Sequence, residues 1–329
     1  MTRVPNFRPF IGDHCETVAT GNLLKHAGLS LSEPMLFGLG SGLAFGVFDF
    51  KSMPAPFIGG RTKPEEITKH LTQNLGIEVE YRQTRSRKKA WDNLASFIDA
   101  GVPVGVKLDC YFLDYFSADF HFAGHYVAAH GYDEDQIFVI DTAQQGSDLK
   151  TARDRFEEGR LWKGPMSSNA LTWTLKAPTG EIDWPKVLRK AISTNATSYL
   201  TPPIKNFGAS GIRKAAKLIP SWKDTVEDAP VQLALMGSLM ERAGTGGGLF
   251  RRIYRDFLIE ANEHLHSDTI AHASDLIGEA SENWTKSATL LEQVKEHPDV
   301  LNKVAEIFLS NAELEEMAFK LLTSRAENV

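Results

Sequence analysis

Cysteine is scarce in this chain: 329 residues hold two, Cys15 and Cys110. Two thiols cannot build the disulfide framework of a small secreted domain, so a reducing, cytoplasmic setting is expected. Long apolar runs are missing as well. The longest, from Pro34 to Phe48, is broken by four glycines and falls short of the ~20 residues of a membrane-spanning helix. The opening Met1-Thr2-Arg3-Val4-Pro5-Asn6-Phe7 lacks the apolar core of a signal peptide, so neither export nor a membrane partner is expected. Positive charge is not in excess. Thirty-six Lys and Arg against 42 Asp and Glu leave a net charge of −6, which repels phosphate backbones and argues against a nucleic-acid partner.

What is there is ordinary globular composition, 42% hydrophobic and 24% charged, at a length that suits two domains. The first half mixes periods. Helices are expected over 16–27, stopped by Gly28, over 64–74, and over 89–100, closed by Gly101. Ser30-Leu31-Ser32-Glu33 fits a capping box at another helix start, and the glycine-rich 35–48 predicts a turn and loop. Strands are expected over 77–81, 102–108, 125–130, 137–141 and 172–175, the third and fourth forming a hairpin across 131–135. After 172–175 the β signals cease. A helix over 183–200 and long helical stretches over 249–265, 268–296 and 298–322 follow. The pattern predicts an α+β domain over 1–180 and an all-α domain over 181–329.

Chemistry concentrates in Gly12-Asp13-His14-Cys15-Glu16-Thr17. A cysteine in the first turn of a helix meets unpaired N–H groups and the positive dipole end, which favour the thiolate; the alternative is that Cys15 is a small buried residue. A thiolate needs a base, and the base an orienting group. With the hairpin turn centred on Asp133, His125 stands opposite Asp141, close enough for the carboxylate to hold the imidazole; a shift of one residue makes the pair diagonal but still reachable. The competing reading is a core histidine bonded to a nearby acid.

The remaining polar groups are less directive. His14, His121, His125 and His130 do not form a full metal-ligand set, so no metal is expected. The Gly244-Thr245-Gly246-Gly247-Gly248 stretch lacks the order of a nucleotide-binding loop and is expected to be a flexible connector, with a substrate phosphate contact as the lesser alternative. Asp109 and Tyr111, in the segment from Lys107 to Tyr115, either line a pocket or end a strand; Cys110 carries no chemistry. The Arg82 to Lys89 basic run is a solvated face. Together with Asp13, His14, Glu33 and Tyr126, Asp109 and Tyr111 are the candidates for lining a substrate site.

Cys at a helix start, then His at a strand head and Asp on the return strand, resembles the papain-like cysteine fold of peptidases and acyltransferases. More specifically, His14-Cys15-Glu16-Thr17, the run Ser32-Glu33-Pro34-Met35-Leu36-Phe37-Gly38-Leu39-Gly40 and Gly124-His125-Tyr126-Val127 resemble the N-terminal domain of the butirosin biosynthesis protein H family. Gly244-Thr245-Gly246-Gly247-Gly248-Leu249-Phe250-Arg251 and Tyr254-Arg255-Asp256-Phe257-Leu258 resemble the helical domain that follows it. The resemblance implies acyl transfer from the phosphopantetheine of an acyl carrier protein, or a small acyl thioester, to a small-molecule amine in secondary-metabolite biosynthesis, with no further cofactor. It implies that Cys15 accepts the acyl group, His125 handles the proton and Asp141 orients His125. Bacteriocin-processing peptidases carry an oxyanion-stabilising Gln six residues before the Cys. Pro9 stands here instead and offers no donor, leaving the Cys15 N–H, with Asp13 or His14 as a second donor. A hydrolase or peptidase, and a non-catalytic binding protein with the helical half as its partner surface, stay open as alternatives, as does a homo-oligomer.

Overall fold

The computed structural model describes residues 1–323 except 51, 52, 54, 118, 119, 177 and 178. The chain divides into two units: residues 1–36 with 67–181, and residues 37–66 with 182–329. A single boundary was expected near residue 180; the segment 37–66 instead leaves the first unit and packs within the second.

The first unit holds an antiparallel sheet of seven strands. In chain order these are β1 (Thr2–Arg3), β4 (Val79–Arg82), β5 (Val104–Leu108), β6 (His125–Tyr132), β7 (Gln136–Ile140), β8 (Leu149–Ala152) and β9 (Thr172–Leu175), while β2 (Leu43–Phe48) and β3 (Phe57–Arg61) belong to the second unit. The path is β4-β9-β5-β6-β7-β8, with β1 on β6. Its helices are α1 (Cys15–His26), the first turn of α2 (Glu33–Leu39), α3 (Glu66–Leu75), α4 (Arg87–Asp99) and α5 (Arg153–Leu161). Strand side chains alternate between faces, so Val104, Val106 and Leu108 share one face with Val127, Ala129 and Val139. Leu94, Phe97 and Ile98 of α4 and Phe156 of α5 pack into the same core cluster. On the opposite face Gly105 pairs with Trp173, and a Cβ on Gly105 would stand 2.2 Å from the indole. The absent side chain is therefore the seat of the tryptophan.

Helix α1 ends as expected, with Gly28 at φ +94°. The capping box does not form. Helix α2 begins at Glu33, the Ser32 hydroxyl accepts from the Met35 N–H at 3.2 Å, and the Glu33 carboxylate turns away to another helix. Strand β8 and helix α5 were not foreseen.

The second unit contains the β2–β3 hairpin, α6 (Trp184–Leu200), α7 (Gly208–Leu218), α8 (Trp222–Thr225), α9 (Ala229–Arg242), α10 (Arg251–Leu265), α11 (Asp268–Glu292) and α12 (Val300–Thr323). Residues 35–48, expected as turn and loop, form most of α2 and all of β2. The glycines there mark close packing: a Cβ on Gly38 would fall 2.0 Å from the Phe257 ring, and one on Gly46 would fall 3.0 Å from Phe207. The hairpin is sewn in by polar pairs: Asn195 accepts from the Leu43 N–H and donates to the Leu43 carbonyl, Asn206 donates to the Val47 carbonyl, and Trp222 Nε1 donates to Asp49. At its centre Arg251, fully buried, donates to Glu315 at 2.8 and 2.7 Å and to the carbonyls of Leu249 and Gly60. Trp284 Nε1 and the Tyr199 hydroxyl donate to the same carboxylate. Residues 244–250 are accordingly no flexible connector. Gly246, Gly247, Gly248, Leu249 and Phe250 all have positive φ, and a Cβ on Gly248 would meet Ser281 at 2.2 Å.

A fragment of residues 182–329 is expected to show helical circular dichroism but no cooperative melt, because Phe45, Val47 and the Gly60 carbonyl are missing from its core. Fusing residues 37–66 to it should restore a sharp transition; a cooperative melt without the hairpin would show that the hairpin is dispensable.

Candidate active site

Helix α1 presents Cys15 as its first residue, 8% exposed. The turn that leads into it is held from α2 through the amides of the N-cap His14 and of Asp13 before it. Glu33 Oε2 accepts from the Asp13 N–H at 2.7 Å and Oε1 accepts from the His14 N–H at 2.8 Å, with the Thr17 hydroxyl 2.7 Å from Oε1. Burial pushes the Glu33 carboxyl up, offset in part by these hydrogen bonds. Gly12 makes the arrangement fit, since a Cβ there would lie 2.7 Å from the Glu33 carboxylate. Asp13 and His14 were candidates for the second oxyanion donor; their amides are spent on Glu33. The Cys15 N–H is left at the helix start beside its own sulfur.

His125 heads β6. Register on β7 is Ala128↔Ile140 and Ala129↔Val139, and a bulge shifts it to Gly131↔Phe138 nearer the turn. Continued by one residue, the pairing sets Asp141 opposite Val127, on the face His125 shares, so the His–Asp pair is diagonal rather than directly opposed. The pair still closes: His125 Nε2 lies 2.7 Å from Asp141 Oδ2, with both side chains buried. The other ring nitrogen, Nδ1, is left for Cys15, which lies within hydrogen-bonding reach of the imidazole. Burial alone would lower the His125 pKa; the Asp141 charge and hydrogen bond, then Cys15, outweigh it and raise it well above the usual value. The imidazolium form is thus favoured, and a positive charge faces the sulfur.

Asp141 is held on all sides. Its Oδ1 accepts from the Thr142 N–H at 2.7 Å and its Oδ2 accepts from the Tyr115 hydroxyl at 2.9 Å. Burial and then the Asp141 charge push the Tyr115 phenol well up, keeping it a donor. The Phe116 ring stands edge-on to His125 with centroids 5.2 Å apart. One residue beyond Thr142, the Ala143 N–H donates to the Gly12 carbonyl at 2.8 Å, bracing the aspartate's loop against the turn that leads into Cys15.

The structure therefore brings Cys15, His125 and Asp141 together, with Asp13, His14 and Glu33 behind the helix start. The other expected residues lie elsewhere. Tyr126 points to the opposite face from its neighbour His125 and packs edge-on to Trp173. Asp109, fully buried, accepts from the Tyr111 and Phe122 amides and from His121 Nδ1, so it organises the 109–124 loop. Tyr111 lies over the His121 ring, centroids 4.4 Å apart. Cys110 is buried near the site, and burial pushes its thiol up to about 11. His130 stacks on Phe7 at 4.5 Å. Among the described residues no group of three or more His, Cys, Asp or Glu could hold a metal ion. Sequence reasoning missed Tyr115, Phe116 and the Gly12–Glu33 fit. Tyr115 did lie in a segment singled out for its acids and aromatics, but nothing in the order of residues says which of them turns back to Asp141.

Gly12→Ala is expected to displace the Glu33 carboxylate, slow Cys15 alkylation and lower the melting temperature, because the carboxylate loses buried hydrogen bonds; a wild-type alkylation rate would remove Glu33 from the site's support. His130 offers a pH test. Burial, then the Arg3 charge, lowers its pKa to about 4, while an unfolded chain takes up that proton near 6.5. The stabilising contribution is whole above pH 6.5 and is lost as pH falls toward 4, at up to about 1.4 kcal/mol per pH unit. Urea denaturation at stepped pH should show that loss in the parent and a flatter profile in His130→Gln; equal slopes would place the acid sensitivity in other groups.

Cysteine at a helix start, histidine at the head of a strand and aspartate just past the next strand is the papain-like order, here in an α+β unit followed by helices. Among solved structures, the peptidase domain of Streptococcus ComA, a bifunctional ABC transporter involved in a quorum sensing pathway, aligns at 19% identity over 52% of this chain and 96% of its own, with a TM-score of 0.33. A protein of Bacillus anthracis described as a C39-like peptidase aligns at 19% identity over 54% of this chain and 98% of its own, with a TM-score of 0.37. A search of curated proteins returned no match. Residues 14–142 match the family described as butirosin biosynthesis protein H, N-terminal, and residues 153–322 match a domain of unknown function, DUF4872. With both halves matched in that order, the chain belongs to the butirosin biosynthesis protein H family.

Proposed function

We propose that the protein is a cysteine-dependent acyltransferase that carries an acyl group on Cys15 from a thioester donor to an amine. The observation that carries this reading is the buried His125–Asp141 pair at 2.7 Å with Cys15 in reach of the imidazole. The family's name, which places a relative in butirosin biosynthesis, favours transfer in small-molecule biosynthesis over peptide hydrolysis.

In the first half-reaction the Cys15 thiolate attacks the thioester carbonyl, and the carbonyl oxygen gains charge beside the Cys15 N–H. The donor's C–S bond breaks, and its thiol leaves with the proton held by His125. In the second, the amine nitrogen attacks the acyl-Cys15 carbonyl, the C–N bond forms as the C–S bond breaks, and neutral His125 takes the amine proton. Thiolate and imidazolium are regenerated, so no cofactor is consumed. Asp141 keeps Nδ1 aimed at the sulfur throughout, as the triad logic requires. The donor is proposed to be carried on the phosphopantetheine of an acyl carrier protein, or to be a small thioester, whose thiol is a good leaving group.

The test needs no natural substrate. Alkylation by iodoacetamide, followed by peptide mass spectrometry, is expected to label Cys15 at pH 7 and leave Cys110 unlabelled, the Cys110 thiol being raised to about 11. His125→Ala should slow Cys15 labelling by roughly 10² or more, the scale of a lost general base, in a protein that melts normally. Equal labelling of Cys15 in parent and His125→Ala would make it a packing residue. With an N-acetylcysteamine thioester, an intact-mass gain on Cys15 that an added amine removes as the amide supports transfer; release only as the free acid supports a hydrolase.

A further inference from the structure

Helix α9 is apolar on two opposite sides. Its inner side consists of Ala229, Leu233, Met236, Gly237 and Met240, all buried. Gly237 lies against α11, where a Cβ would stand 2.4 Å from the Ala288 carbonyl oxygen, so this side explains the helix's place in the core. At 3.6 residues per turn the opposite side carries Val231, Leu235 and Leu239, one turn apart. They are 55, 49 and 44% exposed, and no charged residue separates them along the row. On α12, by contrast, Leu309 and Met317 are exposed to a similar degree, but exposed Glu313 stands between them on the same face. A helix apolar all round belongs in an interior or against a partner, and an unbroken exposed apolar row marks an interaction surface.

The row ends in opposite charges. Asp228, three residues before Val231, is the N-cap of α9, yet its exposed side chain makes no capping hydrogen bond. Arg242, three residues after Leu239, is exposed and pairs with Glu292, which leaves further guanidinium N–H donors for a second acid. The steps between 228, 231, 235, 239 and 242 are 3, 4, 4 and 3 residues, the same read from either end. Asp228 and Arg242 of one copy stand about 21 Å apart along the helix and cannot meet. In a second copy laid antiparallel, with both Leu235 side chains on a twofold axis, Val231 comes opposite Leu239 and Asp228 opposite Arg242, each twice. A parallel pair would set Asp228 against Asp228 and Arg242 against Arg242. Self-complementarity of this kind is what an isologous contact requires, and a foreign partner would have no need of it.

We propose that the outer face of α9 is a homodimer interface, in which two copies pack their α9 helices antiparallel across a twofold axis at Leu235, with Asp228 of each copy paired to Arg242 of the other. The charged pairs close at both ends when the helices cross at the shallow angle, about 20°, of helices packed along their length. One helix face is small beside the roughly 800 Å² per partner of a stable complex, so the dimer forms and dissociates with concentration. The inference is independent of the chemistry at Cys15.

The experiment is sedimentation equilibrium of the full chain, from low micromolar to several hundred micromolar. The parent is expected to rise from the mass of one copy toward that of two. Leu235→Glu, which sets two carboxylates against each other on the axis, should raise the dissociation constant by roughly 10² or more. Asp228→Arg and Arg242→Glu each remove both ion pairs and put like charges together, and each should weaken the dimer by roughly tenfold. Mixed in equal amounts, these two variants form a heterodimer in which every facing pair is again opposite in charge, so the mixture should regain the parent's constant. The three positions are exposed, and melts at the lowest concentration should match the parent's. A parent that keeps the mass of one copy throughout overturns the proposal. So does a Leu235→Glu variant that dimerises as tightly as the parent, which would put the contact on another face, or a mixture that associates no better than its two components, which would refute the antiparallel pairing.

Discussion

The candidate site hangs on one buried carboxylate. Glu33 sits at the start of α2, yet its two oxygens serve the turn into α1, taking the amides of Asp13 and of the N-cap His14. A carboxylate so buried is costly unless hydrogen-bonded, and the amides repay that cost only when the turn before Cys15 has one particular shape. The same logic recurs one helix on, where buried Glu16 accepts from the Thr68 N–H in the first turn of α3. The starts of α1 and α3 are therefore served by acids from other helices, which ties the position of the sulfur to tertiary packing and not to the local chain.

The base is positioned by the opposite means, a regular sheet. Strands β5, β6 and β7 are nearly continuous apolar runs that bury both faces, and at their common end the pattern breaks into polar residues: Asp109, His125 and Asp141. At such a rim backbone order is high but side chains reach past the sheet, so an imidazole can be held to a carboxylate and still meet a helix start. The 109–124 loop uses this rim twice, bringing Tyr115 to Asp141 and fastening His121 to Asp109.

Domain matches and packing units cut the chain in different places. The helical-family match begins at residue 153, yet α5 and β9 belong to the first unit, with β9 paired to both β4 and β5. The N-terminal match runs through residues 37–66, which complete the second. Each unit thus needs residues from both matched regions. In the second unit the need is centred on Arg251: its guanidinium satisfies Glu315 and also reaches the Gly60 carbonyl on the hairpin, so a buried charge pair that is seldom stabilising by itself sets which segments must be present together.

Local chemistry was legible in the chain. A cysteine beside a helix-start pattern, a Gly-stopped helix, and a histidine and aspartate flanking a turn are short-range signals, and each depends on propensity or on a spacing of a few residues. They led to Cys15, His125, Asp141 and the α+β unit with helices after it. The tertiary structure decided what acts over distance. It centred the hairpin one residue later than Asp133, which makes His125 and Asp141 diagonal, and it placed the bulge that returns Asp141 to the face of His125. It turned Glu33 from its own helix to another, turned Tyr126 into the core and Tyr115 toward the site, and showed that the glycines of 35–48 and 244–248 are points of closest approach. A glycine reads as freedom along a chain; whether it is a loop or the seat of an aromatic ring depends on what lies against it, and residues such as Phe257 stand more than two hundred positions away.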